Sequence, residues 1–187
     1  MRLSALQRLL LTTDATVTRL LAGLFGESVR TDGLGQSCRQ ASPADAELEL
    51  AGHETLLCRQ TLLQGSDTGR NYLYAEACVV LDRLASGLRE DLLNTSEPIG
   101  ALLRAHRTET FREVLRLGRR PAGALGPRLD MDSGADLVFR TYRIMSGGSP
   151  IMLLTEYVPP LRLPPFWQSR REQVLDPDGN PAAAGRS

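Results

Sequence analysis

Residues 140–160, RTYRIMSGGSPIMLLTEYVPP, decide the fold class of this chain. Two runs rich in β-branched, aromatic and long apolar residues flank Ser146-Gly147-Gly148-Ser149. Glycine enters the positive-φ region without steric cost, so a Gly-Gly pair between such runs predicts a tight β-hairpin. On its second strand Met152, Leu154, Glu156 and Val158 share one face, because strand side chains repeat every two residues. Glu156 therefore sits where the pattern expects a core residue. Burying an ionised carboxylate is costly unless it is paired, and burial favours the neutral form of any carboxyl. A sheet-edge glutamate in a structural ion pair and a functional acid both fit this segment. Glu156 is the best single site candidate in the chain.

Working outward, residues 55–63 form the next clear strand, with Leu57, Arg59, Thr61 and Leu63 on one face and thus an arginine in a mostly apolar row. The turn at 64–69 joins it to a strand at 72–80, a second hairpin. On that strand Glu76 follows Tyr72 and Tyr74 at period two and is a candidate second buried acid. Residues 110–118 alternate enough for another strand, and 28–39 read as a weak strand broken by a Thr31-Asp32-Gly33 turn. Helical spacing predicts residues 5–11 capped by Ser4, 15–25 capped by Asp14 and stopped by Gly26, 84–93 capped by Asp82, and 99–105 opened by Ser96-Glu97-Pro98. Residues 43–52 and 119–134 read as loops. Strands come as hairpins with no strand–helix–strand alternation. The class is α+β: a single antiparallel sheet with helices on one face or at its ends.

The 187 residues suit one domain, taken as 1–165, followed by a proline-containing C-terminal tail, 166–187, whose last dozen residues are expected to be disordered. Formal charge is zero, which favours no nucleic-acid partner. The apolar run at 9–11 is too short for a membrane span or a secretion signal, so a cytoplasmic location is expected and no membrane partner. Nothing demands more than a monomer. Cys38, Cys58 and Cys78 lack CxxC spacing and read as small buried hydrophobes. His53 and His106 have no ligand-spaced partners, so no metal is expected. All 22 basic residues are arginine. The lack of lysine excludes Schiff-base, pyridoxal-phosphate and P-loop chemistry. It leaves the planar guanidinium as the cationic group, which suits carboxylate ligands. What remains is a cofactor-free pocket built on a carboxylate and one or more arginines, fit for a small organic acid.

In order along the chain, LLLTTDATVTRLL (9–21), LCRQTLL (57–63), NTSEPIGALL (94–103) with TETFRE (108–113), and the opening hairpin resemble the chorismate pyruvate-lyase (4-hydroxybenzoate synthase) family, in its short, stand-alone actinobacterial-type branch. The resemblance implies a six-stranded antiparallel sheet with helical flaps over an internal pocket. It also implies elimination of pyruvate from chorismate to give 4-hydroxybenzoate, with no metal or cofactor. By residue, it implies that Arg59 grips the ring carboxylate and that Glu156 lies beside the ring hydroxyl, both as catalytic and binding groups. Val17 and Ile99 would give main-chain contacts from the flaps, Val17 standing where some members carry methionine. Arg140 or Arg143 is the expected second arginine for a dianionic substrate. Two rivals are an effector-sensing module of the same fold, disfavoured because no DNA-binding segment precedes residue 1, and a chorismate enzyme giving another benzoate isomer.

Overall fold

The computed structural model describes residues 3–13, 16–95 and 97–164. Its elements are α1 (Ala5–Thr12), α2 (Val17–Phe25), β1 (Val29–Gln40), β2 (Thr55–Gly65), β3 (Asn71–Val80), α3 (Ser86–Asn94), α4 (Ile99–Ala105), β4 (Phe111–Pro121), β5 (Asp136–Ser146) and β6 (Ser149–Val158), with short 3-10 turns between them. The strands form one six-stranded sheet in the order β1-β2-β3-β6-β5-β4, antiparallel at every pairing. Two three-stranded meanders thus meet where β3 pairs with β6. The α+β reading holds.

Local chemistry explains most boundaries. Ser4 and Gln7 form a reciprocal capping box on α1, and Gly26, at φ 69°, ends α2. Gly147 and Gly148, at φ 56° and 81°, form the two-residue turn that sets Ser146 opposite Ser149. The second hairpin turn is held by Glu27, whose carboxylate accepts from the Asp67 and Thr68 amides and the Thr68 hydroxyl.

Four expectations are corrected. Residues 28–39 contain no turn: β1 runs unbroken as an edge strand, and the Asp-Gly signal marks a bulge between Gly33 and Gly35. Asp82 does not cap α3, which starts at Ser86; its carboxylate instead accepts from the Thr55 amide at 2.7 Å. The presumed loop at 43–52 contains a 3-10 turn, Pro43–Leu48. The N-cap of α2 is Thr16; Asp14, like the start at Ser96 and the tail 166–187, lies outside the described residues.

Helices cover one face of the sheet. Leu10 of α1 and Leu21 of α2 pack with Leu63, Leu73 and Val158 of the sheet, and Leu88 and Leu92 of α3 pack with Leu57, Val79 and Met152. On the opposite face the 3-10 turns cover Leu62, Tyr74, Leu129 and Tyr157 in one cluster and Leu48, Leu56 and Val80 in another. Among the described residues no helix is long and apolar enough to cross a membrane.

Candidate active site

Between the two helix pairs the helical face of the sheet is left open, and a cavity of about 390 Å³ fills the gap. That lies within the roughly 300–1,000 Å³ usual for small-molecule sites. The first turn of α2, the α3–α4 connection and strands β1 to β6 all contribute lining residues. The floor is open because β3 presents Ala75 and Ala77 there and β1 presents Gly33 and Gly35, where β2, β5 and β6 present larger side chains.

Arg59, Glu156, Val17 and Ile99 all line this one cavity. Register fixes the first two. Arg59 stands opposite Ala77, while Ala75 stands opposite Glu156. The two charged residues are thus two strands and two positions apart, roughly 12 Å between backbones by ordinary sheet spacings. Both stand on the cavity face of the sheet, diagonally placed with Ala75 and Ala77 of β3 between them.

The guanidinium of Arg59 is buried, with 6% of the residue exposed. Its Nε donates to Gln36 Oε1 at 2.6 Å, Nη1 to the Glu97 carbonyl at 3.2 Å, and Nη2 to the carbonyls of Leu92 and Thr95. Every one of these acceptors is neutral. Among the described residues no carboxylate pairs with Arg59, and burial lowers the stability of its charged form. The carbonyl acceptors also tie it to the α3–α4 connection, which roofs the cavity.

Glu156 is treated oppositely. One carboxylate oxygen accepts from Arg140 Nε at 2.7 Å and the other from the Tyr142 hydroxyl at 2.9 Å. Arg140 in turn donates to the Thr13 carbonyl at 2.8 Å and lies 4.9 Å from the Tyr142 ring centroid. The cost of burying Glu156 is thereby offset by a buried partner of opposite sign. Two of its roughly four lone-pair positions remain for other donors. The Tyr142 hydroxyl is pushed above the ordinary phenol range by burial and by the neighbouring carboxylate, so it stays a donor.

Several expected positions are revised. Glu156 sits on an interior strand between β3 and β5, not at a sheet edge. Arg140 is the ion-pair partner of Glu156 and does not line the cavity. Arg143 points to the other face, bound to Glu113 and Glu49. Glu76 is half-buried on that other face and accepts from Tyr74. The second arginine on the cavity wall is Arg112 of β4, 5.8 Å from the Tyr142 ring centroid. Its signal was the FRE segment at the start of β4, but the strand's largely exposed pattern and its bulge between Val114 and Arg116 hide the alternation. Val17 and Ile99 are the first residues of α2 and α4.

Residues 11–164 match the family model described as chorismate pyruvate-lyase, Rv2949c-like. The chain is 33% identical over 152 residues to a chorismate pyruvate-lyase of Mycobacterium leprae, covering 80% of this chain and 72% of that one. It is 31% identical over 155 residues to the protein of that name from Mycobacterium tuberculosis, covering 80% and 77%. Among solved structures it resembles PhnF of Mycobacterium smegmatis, with a TM-score of 0.64 at 16% identity, covering 82% of this chain and 67% of that one. The ligand-binding domain of a GntR-family transcriptional regulator from Bordetella bronchiseptica gives 0.59 at 16% identity, covering 71% and 86%. At such identities the last two likenesses concern the fold.

Proposed function

The chain belongs to the Rv2949c-like chorismate pyruvate-lyase family, and we propose that it eliminates pyruvate from chorismate in this cavity, leaving 4-hydroxybenzoate. The observation that supports this reading best is the pairing of a buried, charge-uncompensated Arg59 with a buried, compensated Glu156 across a floor of alanines. A ring carrying a carboxylate at one end and a hydroxyl para to it matches that polarity. Arg59 takes the ring carboxylate in a charge-assisted pair, which supplies the missing negative charge. Glu156 accepts the ring hydroxyl on a free lone pair. Arg112 takes the second carboxylate, on the enolpyruvyl group. Val17 and Ile99 line the cavity at helix starts, where main-chain N–H groups lack intrahelical acceptors, and contribute main-chain contacts to the ligand.

In the reaction the proton on the carbon bearing the ring hydroxyl leaves, its bonding pair forms the new ring double bond, and the bond to the enolpyruvyl oxygen breaks. The oxygen keeps that pair, and protonation of the enol carbon completes pyruvate. Aromatisation drives the step, so the protein's contribution is to orient the dianion, exclude water and stabilise charge on the departing oxygen. Glu156 is placed to hold the hydroxyl and to receive the ring proton.

The test is incubation with chorismate, with pyruvate followed by a coupled lactate dehydrogenase assay and the benzoate identified by chromatography. Stoichiometric pyruvate and 4-hydroxybenzoate are expected. Tight binding of 4-hydroxybenzoate without pyruvate release would instead support the effector-module reading that the shared regulator fold brings into view. A different hydroxybenzoate would move the chain to a neighbouring chorismate reaction.

A further inference from the structure

On the sheet face turned away from the cavity, Cys58 of β2 and Cys78 of β3 stand directly opposite each other in the antiparallel register. Their Sγ atoms lie 2.6 Å apart, and both side chains are half-buried rather than sealed in the core as expected. Cross-strand partners hold their Cβ atoms about 4.5–5.5 Å apart, near the roughly 3.5–4.5 Å that a disulfide spans. Little backbone motion therefore separates the pair from a covalent bridge. Cys38 is exposed and pairs in register with Leu57, on the helical face, out of reach of the other two.

The surroundings favour a reactive thiol. The Cys78 thiol, hydrogen-bonded to Cys58, and then the nearby Arg39 guanidinium hold the Cys58 thiol below the ordinary thiol range, while the same hydrogen bond and burial push Cys78 up. Arg39 Nη2 lies 3.8 Å from Cys78 Sγ and is fixed there by a two-pronged pair with Asp45, at 2.6 and 2.7 Å. Among the described residues, Arg39 on β1 and Asp45 in the 3-10 turn are charged groups beside the pair, and Glu76 lies two positions before Cys78 on the same face of β3. The other neighbours include Ser37, the β1 register partner of Cys58, and the apolar Leu48, Leu56, Val80 and Leu153.

We propose that Cys58 and Cys78 are an oxidation site that closes a reversible cross-strand disulfide when the protein meets a hydroperoxide. The Cys58 thiolate attacks the peroxide O–O bond, forming a sulfenic acid and releasing the alcohol or water. Cys78 then attacks that sulfur and expels water. Two thiols and one ROOH give one disulfide, one ROH and one H₂O. Each sulfur loses one electron and the peroxide oxygens gain two. Because Arg59 follows Cys58 and Ala77 precedes Cys78, and those two are register partners on the cavity floor, the bridge ties the ladder one residue from the site.

The experiment treats the full-length protein with a slight excess of hydrogen peroxide and maps it by non-reducing tryptic mass spectrometry. Cleavage after arginine isolates residues 40–59, 71–83 and 31–39 in separate peptides, one cysteine in each. The expected map joins 40–59 to 71–83 with loss of two hydrogens, leaves Cys38 free, and reverts with dithiothreitol. Cys58→Ser and Cys78→Ser each abolish the joined peptide. In Arg39→Gln the cleavage after residue 39 is lost, so the bridge is read as 31–59 joined to 71–83, and it forms severalfold more slowly at neutral pH, because less of Cys58 is thiolate. Three free thiols after treatment, a bridge that includes Cys38, or an unchanged rate in Arg39→Gln overturns the proposal.

Discussion

Arg59 and Arg140 hold equivalent places in the two halves of the sheet. Each lies on the middle strand of a three-stranded meander, faces the helices and is almost wholly buried. Across the ladder, however, Arg59 meets Ala77, whereas Arg140 meets Glu156. Arg140 therefore has its charge neutralised within the fold, and Arg59 has only neutral oxygens around it. Neutral acceptors satisfy a guanidinium's hydrogen bonds but not its charge, and a buried charge without a counter-ion is costly. The difference separates a structural cation from one that stores affinity for an anion. On this account the fold tolerates Arg59 because a ligand carboxylate completes the pair.

Substitutions probe that contrast, the largest effect first. Arg140→Met leaves Glu156 buried without its cation and should cost about 3–5 kcal/mol of stability, read by urea denaturation; a loss below about 1 kcal/mol would mean that the pair is not what stabilises that half. Glu156→Gln keeps the shape of the wall while removing the acceptor charge. It should cut kcat roughly 100-fold, with affinity for 4-hydroxybenzoate changed only a few-fold, as stopped-flow and equilibrium titration would show. Arg112→Gln should raise the KM for chorismate about 10-fold and leave binding of 4-hydroxybenzoate nearly intact, since the product lacks the second carboxylate. The smallest effect belongs to an ion pair outside the cavity. The Arg39 guanidinium holds the Asp45 carboxyl at about 2, below its usual 3.8. A depressed carboxyl pKa stabilises the fold above the unfolded value. That contribution, about 1–2 kcal/mol after allowance for the exposed arginine, should fade between pH 4 and 2. Asp45→Asn should flatten the stability profile over that interval.

How much of this was legible in the sequence depends on burial. The hairpins at 55–80 and 136–158 read clearly because their strands alternate against a helical layer, and the same period of two exposed Arg59 and Glu156 as charges in apolar rows. Arg140 carried the same signal, between Val138 and Tyr142, yet its partner could be assigned only once β5 and β6 were in register. β1 was faint because an edge strand with almost every residue at least half-exposed has no face to alternate. Arg112 was hidden for the same reason on the opposite edge, with a bulge added. The cysteine pair required the register of the second hairpin, which a shift between Leu63 and Gln64 obscures. Asp82 has the composition of a helix cap, but a backbone amide from β2 claimed it. In each case the missing information is a long-range pairing, which local periodicity does not encode.

The claim that Arg59 is completed by a ligand carboxylate is tested most directly by a two-by-two calorimetric titration: wild type and Arg59→Met, each with 4-hydroxybenzoate and with its neutral amide. The account predicts that wild type prefers the carboxylate by about 100-fold, the scale of a buried charge-assisted pair, and that Arg59→Met binds the two ligands about equally. A preference that survives in Arg59→Met would place the ligand's carboxylate against some other group and contradict the account.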